Sequence, residues 1–342
     1  MRAGVLYPRW FPEFAFGYGQ PVLNFYGPLS YYWGLPVALL GANAALALKL
    51  GFATGLIAAA LAMYLFARLY WDRGPALAAA VVYAYLPYHL VDLYVRGAVA
   101  EFLAFVWFPL ALWAFHRLTA ASERQGSIQV AVAALVLAAL VVTHSLSGLI
   151  FAPVLGVYLL ILLLKQRDRS ATGRVVLALG LAVALSAFYW LPVLAESQYV
   201  GLGHGASQGY QDHLLPLAEL FSLHLAYPYP TEAGVTPTFP LGLIQVVILV
   251  AALILPIRVR HQRWATVFFL ALALLSTTML ATTSLPIWRL CERGLAFLQY
   301  PWRFQALTAL ATAFLAGALW QQLSRSAFTA PLLRQILPVA AY

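Results

Sequence analysis

A chain of 342 residues that is 63% hydrophobic and 9% charged is far more apolar than a soluble globular domain, which is about 45–50% apolar and about 25% charged. This composition excludes an ordinary soluble enzyme and predicts an all-α, polytopic membrane protein, because helices satisfy their own backbone hydrogen bonds in lipid. The net charge of +9 does not indicate nucleic-acid binding, since the basic residues stand in short clusters between apolar runs, as at the ends of cytoplasmic loops.

The first distinctive stretch, residues 7–33, holds eleven aromatic side chains together with four prolines and three glycines. Proline removes a backbone donor and glycine permits turns, so a continuous helix is not expected here. Aromatic rings prefer the membrane–water boundary, which favours an interfacial loop. Residues 29–43 follow as an in-plane segment, because the run is short and is interrupted by Gly34 and Pro36. Residues 1–43 are therefore interpreted as an external, aromatic-rich loop.

The remaining residues, 44–342, are predicted to form a transmembrane helical domain. A helix needs about 20 apolar residues to cross the hydrocarbon core. Apolar runs of about this length predict spans near residues 44–66, 75–90, 100–116, 128–143, 148–164, 175–192, 239–257, 264–281 and 304–322. A tenth apolar run begins near residue 327, so the sequence predicts about nine to ten spans in a bundle.

The loop charges predict the orientation. Twelve basic residues fall in the segments after the first, third, fifth, seventh and ninth spans, with three acidic residues among them. Because Lys and Arg are enriched in cytoplasmic loops, this side is predicted to be cytoplasmic. The opposite side then carries residues 1–43 and the loops at about 193–238 and 282–303, where we expect the function to lie. The single Cys291 excludes an internal disulfide and a cysteine metal site.

Three charged residues enter or adjoin an otherwise apolar helix in residues 86–105: Asp92, Arg96 and Glu101. The spacing of four between Asp92 and Arg96 places both on one helical face. Charges near hydrocarbon pair with each other or line a cavity. One interpretation is a structural ion pair at the helix mouth, and the other is a polar wall facing an anionic ligand, with Arg96 as the phosphate contact.

Other polar residues lie at the predicted external ends of the spans. His144 stands between two apolar runs, where it either satisfies backbone carbonyls in a tight turn or contacts a ligand. Arg303, beside Trp302, either reaches lipid headgroups or holds a phosphate. The 193–238 loop contains histidine and acidic residues without a metal-ligand spacing, so ordinary loop polarity is favoured.

The sequence contains no Walker loop, dinucleotide fingerprint or nucleophile elbow, which argues against ATP- or NAD-dependent chemistry.

Four segments in order, PRWFPEFAFGYGQPVLNFYGPLSYY, LPYHLVDLYVRGAVAEF, THSLSG and LQYPWRF, resemble a bacterial family of polytopic membrane proteins labelled 6-pyruvoyl-tetrahydropterin synthase-related. The resemblance covers nearly the whole chain. The pterin synthase of the label is a soluble zinc enzyme, and this sequence does not contain its histidine cluster. In layout the family is similar to the GT-C superfamily of membrane glycosyltransferases and to YfhO-like proteins.

This resemblance implies a glycosyltransferase in the bacterial plasma membrane that uses a polyprenyl-phosphate-linked sugar at the external face. The lipid bilayer and this sugar donor are the implied partners, and Mg²⁺ or Mn²⁺ is the implied cofactor if the catalytic acid binds a metal. The superfamily places a catalytic Asp or Glu early in the first external loop, after a first helix. Here the chain starts at Met1 without that helix, so it is expected to be a fragment, the catalytic residue is unassigned, and the first loop retains only Glu13. The motif positions make the substrate-binding candidates Arg9, Asp92, Arg96, Glu101, His144 and Arg303.

The alternative from another class is a non-catalytic transporter or assembly factor for cell-envelope polysaccharide or lipid. A transporter would carry polar residues through the middle of its spans, whereas the predicted spans are almost wholly apolar there. This favours a protein that acts at the membrane surface. A relic without activity also stays open at this point.

Overall fold

The computed structural model describes residues 5, 7–199, 209–222, 238–255, 262–295 and 298–325. These residues are largely α-helical, and their only extended pairings are two isolated bridges. The prediction of an all-α membrane helical bundle is therefore confirmed. The tenth apolar run, from about residue 327, lies outside the described residues, as do parts of the 193–238 loop.

Among the described residues, positions 7–43 form no continuous helix, in agreement with their proline and glycine content. A short 3₁₀ turn is followed by three α-helices of four to six residues. The second and third have Pro28 and Pro36 in their first turn, where a missing backbone N–H costs nothing. These elements are Ala15–Gly17, Val22–Phe25, Pro28–Trp33 and Leu35–Leu39.

Longer helices follow throughout the described chain. Those of eight residues or more are α1 (Ala44–Ala67), α2 (Arg73–Tyr85), α3 (Pro87–Tyr94), α4 (Val99–Thr119), α5 (Glu123–Thr143), α6 (Ser145–Gln166), α7 (Arg169–Glu196), α8 (Leu243–Ile254), α9 (Arg263–Thr278) and α10 (Gln305–Arg325). Shorter helical turns lie at Ser197–Tyr199, Tyr210–His213, Leu217–Leu220, Thr282–Ser284, Leu285–Leu290, Glu292–Leu295 and Pro301–Phe304.

The predicted spans and the helices agree closely in place but not always in length. Among the described residues, six helices are long and apolar enough to cross a membrane, namely α1, α4, α5, α6, α7 and α10. A seventh candidate is the pair α2 and α3, which is bent by 41°. The predicted spans 239–257 and 264–281 are shorter helices of 12 and 16 residues, below the ~20 residues of a straight crossing.

The bend between α2 and α3 has a local cause. Leu86 precedes Pro87, and the proline ring disfavours helical backbone angles in the residue before it. Leu86 accordingly has φ −62° and ψ 140°, and Pro87 begins the next helix at a position that tolerates proline. This break places α3 at an angle to α2. The polar residues that follow Pro87 therefore lie on a separate short helix.

The chain divides into two compact units. The first contains the described residues of Met1–Gly55, Ala98–Trp107 and Ala114–Leu202, and the second those of Leu56–Gly97, Phe108–Trp113 and Gly203–Tyr342. Glu101 therefore belongs to the first unit, and Asp92 and Arg96 to the second.

The first unit is built on the packing of α5 against α7, with the short helix Pro28–Trp33 on α5. Gly27, which precedes that short helix, lies directly on the end of α5. A Cβ atom at Gly27 would overlap the carbonyl oxygen of Thr143 and lie 2.7 Å from that of Val142. Only glycine therefore permits this approach of two backbone segments.

The second unit is organised around α10, which packs on α2 and α9. Phe314 of α10 stacks on Phe269 of α9 with ring centroids 4.1 Å apart. Gly317 allows α10 to approach α2, because a Cβ atom there would lie 3.0 Å from the carbonyl oxygen of Pro75. Small residues thus give α10 the close backbone contacts typical of membrane helices.

Candidate functional site

The polar face of α3 brings three residues of the second unit together at intervals of four. Tyr88 and Asp92 lie on α3, and Arg96 follows its end, where the backbone N–H of Arg96 still bonds to the carbonyl of Val91 at 2.9 Å. Nη1 of Arg96 donates to Oδ1 of Asp92 in a short ion pair and to the Tyr88 hydroxyl at 2.9 Å. The shared face predicted for Asp92 and Arg96 is present, and Tyr88 extends it by one turn.

Burial makes this ion pair unusual. The Asp92 side chain is completely buried, whereas the Arg96 side chain is 18% exposed. A buried carboxylate is costly unless a cation and hydrogen bonds compensate it. The pair therefore consists of an inner carboxylate and an outer guanidinium that reaches the surface of the unit.

Aromatic rings surround the guanidinium of Arg96. Its central carbon lies 5.8 Å from the ring centroid of Tyr88 and 5.7 Å from that of Trp302. Both distances are within the range of a cation–π interaction. Trp302 in turn packs edge to face on Phe239 at 5.1 Å and stacks on Tyr300 at 4.2 Å. We call Tyr88, Asp92, Arg96, Phe239, Tyr300, Trp302 and His213 the arginine–aromatic cluster.

His213 completes this cluster from the Tyr210–His213 turn. Its ring meets Trp302 at 4.6 Å and Tyr300 at 5.2 Å, in both cases edge to face. Burial of the imidazole lowers the pKa of His213, and the neighbouring Asp212 carboxylate only partly offsets this effect.

We expect this histidine to make folding sensitive to acid. The pKa of His213 in the folded protein lies below its value of about 6.5 in the unfolded chain. Above pH 6.5 the histidine is neutral in both states and does not lower the stability of the fold. Below pH 6.5 the unfolded chain binds a proton that the folded chain resists, so the free energy of unfolding falls. Unfolding of the purified protein at several pH values from 7.5 to 5, compared with His213→Phe, measures this. A stability difference between the two proteins that does not change with pH would contradict the expectation.

Arg303 is predicted as a phosphate contact, and the structure gives it a local role as well. Its Nη1 donates to the Leu298 carbonyl at 2.6 Å and its Nη2 to Oε1 of Gln299 at 3.1 Å. Gln299 has a left-handed φ of 63°, which costs free energy for a residue with a Cβ atom. Arg303 therefore stabilises the turn that presents Tyr300 and Trp302.

Arg9 is predicted as a ligand contact and lies in a separate polar cluster of the first unit. Its Nε and Nη2 donate to Oδ1 of Asn24 at 2.9 and 2.6 Å, and Nη2 also donates to Oε1 of Glu196 at 2.7 Å. Nδ2 of Asn24 donates to the other Glu196 oxygen in a short hydrogen bond. We call these three residues the N-terminal latch, because they tie the first loop to the last residue of α7.

The other candidates of the first unit occupy separate places. His144 is the single extended residue between α5 and α6, and its Nδ1 lies 2.7 Å from the Ser147 hydroxyl. The tight turn predicted at His144 is limited to this one residue, because α6 begins at Ser145. Glu101 is buried in the first turn of α4, where a carboxylate suits the positive end of the helix dipole. Glu13 is exposed.

Sequence reasoning did not find Tyr88, Phe239, Asn24 or His213 as members of these clusters. Tyr88 had a usable signal, because it precedes Asp92 by four residues and must share its helical face. The others come from segments distant in sequence, and no local pattern marks them. Among the described residues, no group of three His, Cys, Asp or Glu side chains could hold a metal ion, so we derive no chemistry through Mg²⁺ or Mn²⁺.

A comparison with protein families identifies the chain. The profile of a family described as the 6-pyruvoyl-tetrahydropterin synthase-related domain, a membrane protein, matches residues 23–341. Searches of curated proteins and of solved structures each gave no match. The matched region includes the whole of α1–α10 and agrees with the apolar helices that the structure contains. The chain therefore belongs to the 6-pyruvoyl-tetrahydropterin synthase-related family of membrane proteins.

Proposed function

We propose that the protein is a GT-C-type membrane glycosyltransferase that takes a sugar from a polyprenyl-phosphate donor at the external membrane surface. The observation that carries the proposal is the position of Arg96, which joins a buried carboxylate, a tyrosine hydroxyl and a tryptophan ring just after the end of α3. A guanidinium has five N–H donors in a planar fork. It can therefore keep Asp92 as a partner and bind a phosphate group as well.

Two buried nitrogens of the arginine–aromatic cluster favour a sugar as the group attached to that phosphate. Nε1 of Trp302 and Nδ1 of His213 are buried and have no hydrogen-bond partner among the described residues. Buried polar atoms in proteins are nearly always hydrogen-bonded. Sugar hydroxyls both donate and accept, so a sugar could satisfy the indole N–H and the imidazole nitrogen together.

The proposed transfer is a displacement at the anomeric carbon of the donor. The acceptor oxygen forms a bond to that carbon, the bond to the phosphate oxygen breaks, and its electron pair leaves with the phosphate. Arg96 stabilises the negative charge that grows on this leaving group. A carboxylate takes the acceptor's proton. We give Asp92 the role of positioning Arg96 and leave the general base unassigned.

The test uses the full chain in lipid nanodiscs. Radiolabelled polyprenyl-phosphate hexoses are supplied as donors, and binding and sugar transfer are measured separately. We expect Arg96→Gln to weaken binding by about tenfold or more, because a charge-assisted hydrogen bond to phosphate is lost. Arg96→Lys should retain part of the binding, since it keeps the charge. Arg174→Gln is the matched control, because this arginine pairs with Asp168 in the first unit and should not affect binding.

The outcomes of this experiment distinguish a transferase from a non-catalytic binding protein and from a protein that does not bind this donor through Arg96. Binding and transfer that both depend on Arg96 support the transferase. Binding without transfer supports the non-catalytic transport or assembly alternative for cell-envelope polysaccharide or lipid. Donor binding that is equal in wild type and in a folded Arg96→Gln variant overturns the proposed role of Arg96, and absence of donor binding to the wild type overturns the proposed substrate class.

A further inference from the structure

The first loop contains a closed hairpin at residues 11–20. Phe11 and Gln20 form an antiparallel bridge, with N–H to carbonyl distances of 2.9 and 3.0 Å in the two directions. At its tip Ala15 and Phe16 both have left-handed backbone angles, with φ 51° and 58°. Such angles cost free energy in residues with a Cβ atom and persist where they serve a purpose. The hairpin is thus a defined structure with a strained tip.

The hairpin turns its aromatic side chains outward. Phe16 is fully exposed, Tyr18 is 87% exposed, and Trp10 and Phe14 are about half exposed. Trp10 covers Gly19, since a Cβ atom at this glycine would overlap the indole ring. Glu13 is the only charged residue between positions 10 and 26. Water is an unfavourable environment for this group of rings, and such a patch marks an interaction surface.

The structure also fixes where the hairpin lies. The N-terminal latch joins Arg9, just before the hairpin, to Glu196, the last residue of α7. Tyr7 packs on Phe188 of α7 with ring centroids 5.7 Å apart and donates its hydroxyl to the Leu23 carbonyl at 2.7 Å. Both flanks of the hairpin are therefore held at the C-terminal end of a helix that is long and apolar enough to cross a membrane.

The last four turns of α7 expose apolar side chains up to that level. These side chains are Leu181, Leu185, Phe188, Leu191 and Leu194, and they are spread around the helix. In a membrane protein such an apolar helix surface contacts lipid tails. Aromatic rings that follow at the end of such a surface lie at headgroup depth, where Trp and Tyr are enriched.

From this continuity we infer that the hairpin docks in the lipid surface, with Phe14, Phe16 and Tyr18 inserted into the interfacial zone of the bilayer beside the end of α7. The partner is the lipid itself and not a second protein, because the exposed rings continue the lipid-facing surface of α7. The inference is independent of the proposed transferase activity.

Spin labels test this inference directly. Cys291 is the only cysteine and is exposed, so it is first replaced in a Cys291→Ser background. Labels are then placed at Phe16→Cys or, as the matched control on the same hairpin, at Glu13→Cys. In nanodiscs we expect the label at position 16 to be relaxed mainly by oxygen and the label at 13 mainly by a water-soluble nickel complex. In amphipol without a bilayer, the difference should disappear.

Two results would overturn the inference. Equal and high access of the nickel complex to both labels would show that the tip stays in water. Low access of both reagents at position 16, with an immobilised spectrum, would show that the tip is buried against protein. Neither result depends on catalytic activity.

Discussion

Replacing Arg96 by Met should cost the protein about 3–5 kcal/mol of stability, which is the usual effect of removing one partner from a buried ion pair. The cost arises because Asp92 is completely buried, and its carboxylate would lose the guanidinium that compensates for this burial. The two cation–π contacts with Tyr88 and Trp302 would be lost as well. Unfolding of the purified protein by a denaturing detergent, followed by circular dichroism, measures the change.

The double variant shows whether the ion pair is the cause. Asp92→Asn removes the buried charge, so the combination Asp92→Asn with Arg96→Met should be more stable than Arg96→Met alone. The loss of stability in the double variant is then smaller than the sum of the losses in the two single variants, as expected for two residues that form an ion pair. Tyr88→Phe is the matched control on the same face of α3, and it should cost only about 1 kcal/mol because it removes one hydrogen bond.

A cycle in which the two substitutions simply add would contradict this account. Arg96 would then stabilise the fold through its aromatic contacts alone, and Asp92 would have no part in positioning it. The proposed phosphate contact would lose its inner partner, although the nanodisc binding experiment could still succeed. The stability and binding measurements therefore test different steps of the argument.

The local part of the arginine–aromatic cluster could be predicted from sequence. A spacing of four residues sets Asp92 and Arg96 on one helical face, whatever the rest of the fold does. The contact of Arg96 with Trp302 could not be predicted in this way, because it depends on how α3 and the turn before α10 pack together. The same holds for Arg9 and Glu196, which are 187 residues apart.

Helix positions were more predictable than helix lengths, for a physical reason. An apolar run in a sequence does not show whether the residues form a helix or a buried extended segment. Residues 239–241 are apolar and largely buried but not helical, and α8 begins only at Leu243, after Gly242 with φ 82°. Near residue 86 the hydrophobicity is continuous, yet Pro87 breaks the span because of its effect on the preceding backbone.

The short helix Pro28–Trp33 illustrates a constraint that no sequence pattern revealed. Gly27 looks like a turn residue in sequence, and its backbone angles are in fact open to other residues, with φ −59°. Its importance comes instead from the Thr143 and Val142 carbonyls at the end of α5, which occupy the space of a Cβ atom. This contact ties the aromatic first loop to the helical part of the first unit.

Gly27→Ala should therefore destabilise the first unit by about 1–3 kcal/mol, the usual cost of overpacking a close contact. The clash cannot be relieved by a side-chain rotation, because the obstructing atoms are backbone carbonyls. Gly156→Ala and Gly180→Ala are matched controls, since a Cβ atom at either position in α6 or α7 meets nothing within 4 Å. Detergent unfolding of the three variants gives the comparison, and we expect both controls to be at least as stable as the wild type, because Ala favours a helix interior over Gly. If Gly27→Ala were as stable as the controls, the first loop would not be held on α5 by this contact, and the placement of the hairpin would rest on the N-terminal latch and the Tyr7–Phe188 contact alone.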